Sequence, residues 1–193
     1  ESDLPSVALL HIAAFPDSAL TKLGMEAVRR YYEWQLKGPH EVDALGAFHD
    51  DRLVGFCFAG IFRGAMSGFL QRNWLFLLRC VLVRPWLVMN PIFRERAALA
   101  MHILKRLWRR RAKRKQVTST QNPLCSSKPL EAYGILSIAV DPHYQGLGVG
   151  KRLMECCETI AREKGFSEME LTVNPQNERA IRFYERLGWE KVV

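Results

Sequence analysis

The sequence predicts a single α/β domain, and three observations lead to that prediction. Strand-like and helix-like segments alternate between Tyr133 and Val193. Two helices and a strand hairpin are predicted before residue 63. The length of 193 residues suits one domain with a full hydrophobic core. A hydrophobic fraction of 48% with 25% charged residues excludes a disordered, collagen-like or polytopic membrane protein.

The first part of the chain is predicted to form two helices and then a β-hairpin. Apolar residues at helical spacing predict the first helix over 4–15. The second helix is expected to begin with Thr21 as its N-cap and to end at Gly38. Strands are predicted over 42–49 and 52–62, on either side of a turn made by two aspartates.

Residues 63–128 are predicted to be an insertion that contains two or three helices. The clearest of these helices repeats apolar side chains at i, i+3, i+4, i+7 and i+8. Those side chains are Ala100, Ile103, Leu104, Leu107 and Trp108. The most apolar run is 74–89, but Arg79 and Arg84 interrupt it, each costing about 2.5–3.5 kcal/mol at a bilayer centre. A membrane-spanning helix is therefore disfavoured.

The positive charge of the protein is concentrated in this insertion. The chain has 28 Lys and Arg against 20 Asp and Glu, a formal net charge of +8. Between Arg63 and Gln116 there are 14 basic residues and one acid, a net charge of +13. The remaining 14 basic and 19 acidic residues leave −5. Such an asymmetry indicates an anionic partner for the insertion.

Three partners for this basic segment stay open. The mixture of Trp, Arg and Lys over 69–115 is typical of a helix that lies on an anionic membrane surface. A polyanionic acceptor or nucleic acid is the competitor, but nucleic acid is disfavoured because no recognised nucleic-acid module accompanies the segment. A solvated helical lid that packs on the domain, or on a second subunit of a homodimer, is the third alternative.

The last third of the chain predicts an alternation of strands and helices around a glycine-rich loop. An apolar strand over 133–140 precedes the loop 145–150. The helix that follows ends at Gly165, and its predicted buried face consists of Val149, Leu153, Cys157 and Ile160. The remaining predictions are a strand over 168–173, a turn over 174–177, a helix over 178–187 capped by Gly188, and a final strand over 189–193.

The loop at 145–150 has the pattern of an anion-binding helix start. A strand that leads through a glycine-rich turn into a helix directs backbone N–H groups and the positive helix end at one point. A Walker motif is excluded because Lys151 is followed by Arg152 rather than by Ser or Thr. A dinucleotide-binding fold is disfavoured because the glycine spacing is G-x-G-x-G and too little chain follows for a long parallel sheet.

Two ordered motifs resemble the GNAT superfamily of N-acetyltransferases. The segments 138–142 and 145–150 resemble its acetyl-CoA-binding motif, Q/R-x-x-G-x-G/A, with Gln145, Gly148 and Gly150 at the marked positions. A second family pattern, N-x-x-A-x-x-x-Y-x-x-x-G-F/W, follows at the expected distance. Its marked positions are Asn177, Ala180, Tyr184, Gly188 and Trp189. The resemblance is strongest over 133–193 and is absent from the insertion.

The resemblance implies a fold and a co-substrate. The fold is a central twisted mixed sheet whose fourth and fifth strands splay apart, with helices on both faces. The pantetheine arm of acetyl-CoA would enter the gap and pair with 138–140, and its pyrophosphate would meet 145–151. The residues that the resemblance assigns to acetyl-CoA are Ile138, Ala139, Val140, Gln145, Gly146, Leu147, Gly148, Val149, Gly150, Lys151, Asn177, Ala180 and Tyr184.

The resemblance also implies direct attack of an amine on the thioester, with an acid and a base. Tyr184 matches the family's usual acid. The positions of the family's common glutamate base align with Gly134 and Thr172, neither of which carries a carboxylate. Glu131 is left as the candidate base, and Glu170 is another carboxylate nearby. No metal is predicted, since the five histidines show no ligand spacing.

The expected function is acetyl transfer from acetyl-CoA to a primary amine, such as an amino sugar or a lipid-linked envelope precursor. Alternatives are acetylation of protein lysines or N-termini, and a non-catalytic acyl-CoA-binding module that docks on membranes. The odd number of cysteines, five, and the absence of a C-x-x-C pair favour the reducing cytoplasm. A membrane-bound form would lie at the inner face of the membrane.

Overall fold

The computed structural model describes residues 3–62, 65–89 and 132–192, with single positions at 94, 97, 98, 100, 101 and 105. These residues form two compact units. One unit is helical, and the other contains a β-sheet with two helices. The assignment of residues 1–193 to a single domain with an insertion at 63–128 stays a prediction.

Over residues 3–40 and 65–89, the helical unit contains four helices and a short 3₁₀ turn. They are α1 (Leu4–Ala14), α2 (Ala19–Leu23), α3 (Met25–Lys37), α4 (Ala65–Val83) and the turn Pro85–Met89. Helix α4 packs on α3. The rings of Tyr31 and Phe69 meet edge to face with centroids 5.3 Å apart, and the indole N–H of Trp34 donates to the Ala65 carbonyl at 2.8 Å.

The single helix predicted from Thr21 to Gly38 is wrong in two respects. Its N-cap is Ser18, whose Oγ accepts the Thr21 N–H at 3.0 Å. Gly24 then divides the segment into α2 and α3, because its backbone takes a φ of +100° that no helix accommodates. The predicted end at Gly38 is confirmed, since α3 ends at Lys37.

Within the insertion, the structure describes α4 and the 3₁₀ turn after it. The helix predicted around Ala100 to Trp108 lies largely outside the described residues. In the part of the chain that is described, no helix combines the length and the apolar character that crossing a membrane requires.

The sheet unit is a four-stranded mixed sheet in the order β1-β2-β3-β4. Its strands are β1 (Glu41–His49), β2 (Arg52–Ile61), β3 (Tyr133–Val140) and β4 (Met169–Leu171). Strand β2 is antiparallel to both β1 and β3, whereas β4 is parallel to β3. The predicted hairpin is confirmed: Asp50 and Asp51 have φ of 47° and 61°, as a tight two-residue hairpin turn requires.

Strand β4 and the chain end differ from the prediction. The strand expected over 168–173 is only three residues long, and it pairs with β3 from Tyr133 to Ile135. The final strand predicted at 189–193 is absent from the described positions 189–192. Trp189 is held by other bonds: its backbone N–H donates to the Tyr184 carbonyl at 3.1 Å and its indole N–H to Glu158 at 3.2 Å.

Two helices, α5 (Val149–Glu163) and α6 (Glu178–Arg186), complete the sheet unit. The predicted face of α5 is confirmed, since Leu153 and Cys157 are buried and Val149 and Ile160 pack partly buried against the same core cluster. Side chains of α6 contact this cluster as well. Gly55 of β2 permits the close approach of α5, because a Cβ at Gly55 would lie 2.9 Å from Cγ1 of Val149.

Candidate functional site

The carboxyl end of β3 has one paired edge and one edge without a partner among the described strands. The Asp141 N–H donates to the Val54 carbonyl at 2.8 Å. In an antiparallel pair, every second residue of a strand directs its backbone N–H and C=O to the partner strand, so this bond shows which residues of β3 do so. The backbone groups of Ala139 therefore face β2, whereas those of Ile138 and Val140 face the opposite edge. Pairing with β4 stops at Ile135, so β3 and β4 part beyond that point. No described strand then pairs with these groups, although the Val140 carbonyl accepts a hydrogen bond from the Gln145 side chain.

Asp141 fixes the end of β3 to the loop that follows. Its side chain is buried, and Oδ1 accepts the His143 N–H at 2.9 Å at the start of the 3₁₀ turn Pro142–Tyr144. Oδ2 accepts a bond from the Arg52 guanidinium at 2.8 Å. Asp141 is not among the site residues predicted from the sequence. An aspartate directly before a proline-led turn is a capping signal that could have identified it.

The three glycines of the loop serve two different purposes. Gly146 and Gly148 have φ of +84° and +82°, and a Cβ at either would meet nothing within 4 Å. These two are required by backbone conformation, and they leave open space above the loop. Gly150 is closely packed instead: a Cβ there would lie 3.3 Å from Cζ of Phe183, so that ring would have to shift by a few tenths of an ångström. Gln145 folds back, and its Nε2 donates to the Val140 carbonyl at 3.2 Å.

The start of α5 is electropositive and open to an anion. Gly148 is its N-cap and supplies no side-chain acceptor, and the first turn contains no acidic residue. Lys151 and Arg152 lie on that turn with exposed side chains. Lys151 is 3.8 Å from Glu155, an exposed pair that holds the lysine only weakly. Free N–H groups, the helix dipole and two cations thus converge at one end of α5.

Helix α6 carries the second set of predicted residues. Asn177 is its N-cap, and its Oδ1 accepts the Ala180 N–H at 3.1 Å. Tyr184 lies seven residues after Asn177, on nearly the same side of the helix. The contact between Phe183 and Gly150 brings α6 against the start of α5. The structure therefore gathers the end of β3, the glycine loop and α6 within one unit.

Tyr184 is a half-buried tyrosine whose phenol stays protonated. Burial is the main cause that raises the pKa of Tyr184 to about 12. Its ring packs beside Phe183 and Trp189, with centroids 5.2 Å and 6.1 Å away. A phenol in this state can donate a proton throughout the physiological range.

The predicted base falls outside this arrangement. Glu131 lies outside the described residues. Gly134 pairs with Glu170 across β3 and β4, and a Cβ at Gly134 would lie 3.8 Å from Cγ of Glu170. The exposed carboxylate of Glu170 therefore lies beside Gly134, one of the two positions that align with the family's glutamate. The alternation of side chains along a single strand could not predict this proximity, because it depends on how β3 and β4 pair.

Comparisons with known proteins agree with this geometry. The chain matches the model of the acetyltransferase (GNAT) family over residues 7–189, which confirms the resemblance of the two motifs. It is 39% identical over 61 residues to an uncharacterized N-acetyltransferase of Methanocaldococcus jannaschii, covering 32% of this chain and 27% of that protein. It is 36% identical over 62 residues to the ribosomal protein bS18-alanine N-acetyltransferase of Escherichia coli, covering 32% of this chain and 42% of that protein.

The solved structures it resembles include an aminoglycoside N-acetyltransferase in complex with CoA. That likeness has a TM-score of 0.56 at 17% identity and covers 100% of this chain and 84% of the other. At this identity the likeness concerns the fold, which is thus a mixed α/β fold of the same kind. The matched segments span only 27% and 42% of the two curated relatives named above.

Proposed function

This chain belongs to the acetyltransferase (GNAT) family, and we propose that it transfers the acetyl group of acetyl-CoA to a primary amine by direct attack. The observation that carries the proposal is the open edge of β3 leading into an electropositive glycine loop at the start of α5. A strand edge and an anion site in series match the two parts of CoA, an amide-containing arm and a pyrophosphate.

The described residues fit acetyl-CoA in both parts. The backbone groups of Ile138 and the N–H of Val140 would pair with the pantetheine amides, as an added strand would. The Val140 carbonyl would first have to release the Gln145 amide. Ala139 would contribute by side-chain packing, since its own backbone groups face β2. The pyrophosphate would meet the N–H groups between Gln145 and Lys151, where Gly146 and Gly148 leave room for close approach. The resemblance predicted a gap between the fourth and fifth strands of the sheet. In this structure the corresponding gap lies between β3 and β4.

The proposed reaction requires one proton to leave the amine and one to reach the sulfur. The neutral amine attacks the thioester carbonyl carbon, a C–N bond forms, and the C–S bond breaks. Tyr184 donates its phenolic proton to the departing CoA thiolate and regains a proton from water. Glu131 stays the proposed base that accepts the ammonium proton, and Glu170 is the alternative that the strand pairing favours.

The acceptor is proposed to be an amino sugar or a lipid-linked amine. The proposal of a sugar acceptor follows the aminoglycoside N-acetyltransferase whose fold this chain resembles. The competing acceptor is a protein N-terminus, which the 36% identity to the ribosomal protein bS18-alanine enzyme favours. A module that binds acyl-CoA without chemistry is the third candidate.

Release of free CoA thiol from acetyl-CoA, measured with a panel of amines, tests this function. The panel contains amino sugars, an aminoglycoside, polyamines, and peptides that begin with alanine or contain lysine. We expect amine-dependent thiol release with at least one amino sugar, and the acetylated product by mass spectrometry. Activity with alanine peptides alone would replace the sugar proposal. Acetyl-CoA binding without thiol release for any amine would favour the non-catalytic module.

Replacing Asp141 with alanine should weaken both the fold and the cofactor site. Asp141→Ala leaves the His143 N–H and the Arg52 guanidinium without their shared acceptor, so we expect a loss of about 1–3 kcal/mol in the free energy of unfolding. The Kd for acetyl-CoA should rise because the loop start is no longer fixed. Denaturant unfolding and calorimetric titration measure the two effects. Asp141→Asn keeps one oxygen that can accept the His143 N–H. It should therefore lose less unfolding free energy and less affinity for acetyl-CoA than Asp141→Ala does.

A further inference from the structure

Helix α4 has apolar side chains on two of its sides. One side is buried against the helical unit and includes Phe69 and Leu70. The other side carries Trp74, Leu78 and Leu82 at intervals of four residues, with Leu75 beside them. A helix in an aqueous protein normally presents polar residues on the side that faces away from the core.

This second side continues as an exposed apolar surface beyond the end of the helix. We call the set of six large apolar side chains the α4 patch, and each is between 48% and 84% exposed. Its members are Trp74, Leu75, Leu78, Leu82, Trp86 and Met89. Single exposed apolar residues are ordinary, but six in so short a segment indicate an interaction surface.

Positive charge lines one edge of the α4 patch. Arg79 lies one helical turn after Leu75 and one before Leu82, at the edge of the patch nearest α3. Arg72 lies one turn before Leu75, and its guanidinium carbon is 6.0 Å from the centroid of the Trp34 ring. Arg79 forms no hydrogen bond or ion pair with the described residues. The sequence between 65 and 89 contains no Asp or Glu, and the wider segment 63–116 holds 14 basic residues against one acid.

We propose that the α4 patch docks the protein on an anionic lipid surface. In this arrangement α4 lies parallel to the membrane, with its leucines and the side chains of Trp74 and Trp86 below the headgroups. Arg72 and Arg79 then contact lipid phosphates. Tryptophan is favoured at this depth because its ring is apolar and its indole N–H still reaches water or headgroups. The proposal does not depend on the acetyl transfer proposed above.

The charge of the surface argues for lipid rather than for a second copy of the chain. A symmetric dimer through the α4 patch would place the arginines of both copies in one interface. No acidic residue between 65 and 89 could pair with them. An anionic membrane offers apolar depth for the α4 patch and negative phosphates for the arginines beside it.

Co-sedimentation of the full chain with vesicles tests the proposal. The vesicles contain phosphatidylcholine alone or with about one third phosphatidylglycerol, since anionic lipid supplies the attraction. The patch variant is the triple substitution Leu75→Gln, Leu78→Gln and Leu82→Gln. Its matched control replaces three other exposed apolar residues, Leu9→Gln, Leu36→Gln and Phe48→Gln. A second variant, Arg72→Gln with Arg79→Gln, tests the charged edge.

We expect binding to anionic vesicles that weakens as salt rises. The patch variant should bind roughly tenfold more weakly and the arginine variant several-fold more weakly, while the control binds as the original chain does. Circular dichroism checks that each variant is folded. Equal binding to neutral vesicles, or equal binding by the patch variant, would overturn the proposal. So would a concentration-dependent dimer, seen by sedimentation velocity, that the patch variant abolishes without any vesicle binding.

Discussion

Replacing Tyr184 with phenylalanine is expected to lower kcat about 100-fold or more while the KM for acetyl-CoA changes little. The substitution keeps the ring that packs beside Phe183 and Trp189 and removes only the hydroxyl. Loss of a general acid typically lowers the rate by a factor of about 10² to 10⁴. A fall in kcat of at least about 100-fold is therefore expected if Tyr184 is the acid. Steady-state kinetics with saturating amine measures the change.

The matched control is Tyr133→Phe, which removes a phenol with a structural role from the same unit. The Tyr133 hydroxyl donates to Asp43 at 2.7 Å, and the ring is buried in the core. We expect a loss of about 1 kcal/mol in unfolding free energy and an unchanged kcat. If both variants reduce kcat equally, the effect of Tyr184→Phe is one of stability and the assignment as acid fails.

The pH dependence of kcat gives a further check on Tyr184. Burial raises its pKa to about 12, so the donating form persists as pH rises and is lost only as pH passes the raised value. An alkaline fall in kcat caused by Tyr184 is therefore expected only above about pH 11. A fall near pH 10, missing in Tyr184→Phe, would mean that the phenol ionises as an exposed tyrosine does.

The elements that could be predicted from the sequence are those with local signals. The apolar run of β3 and the positive-φ glycines at 148 and 165 gave the bounds of β3 and α5 closely. The prediction of a final strand at 189–193 was wrong. The residue pattern there is compatible with a strand, but a strand also needs a neighbouring strand to pair with. The Trp189 N–H is instead bonded to the turn at the end of α6.

In the candidate site, the glycine-rich loop could be predicted, but the contacts that support it could not. The loop motif is contiguous, so its residues are visible in the sequence. The bond between Arg52 and Asp141 joins residues 89 positions apart, and no local pattern announces it. The same holds for the close contact between Phe183 and Gly150. The position of Glu170, the alternative proposed base, is a third case, because pairing across β3 and β4 brings it beside Gly134.

Replacing Gly148 with valine is expected to raise the Kd for acetyl-CoA about 100-fold, which corresponds to roughly 2.7 kcal/mol. The N-cap of α5 has a φ of +82° and open space above it. A branched side chain there would occupy the space of the pyrophosphate and pull the loop N–H groups out of alignment. Calorimetric titration of the variant with acetyl-CoA and with CoA measures the loss.

The control for this substitution lies at the other end of the same helix. Gly165 has a φ of +85°, and a Cβ there would also meet nothing within 4 Å. Gly165→Val therefore imposes the same backbone strain, about 1–2 kcal/mol in unfolding free energy for each variant. Since Gly165 is remote from the loop along α5, its substitution should leave the Kd for acetyl-CoA unchanged. Equal weakening by both variants would mean that strain in α5, rather than contact at the loop, controls cofactor affinity.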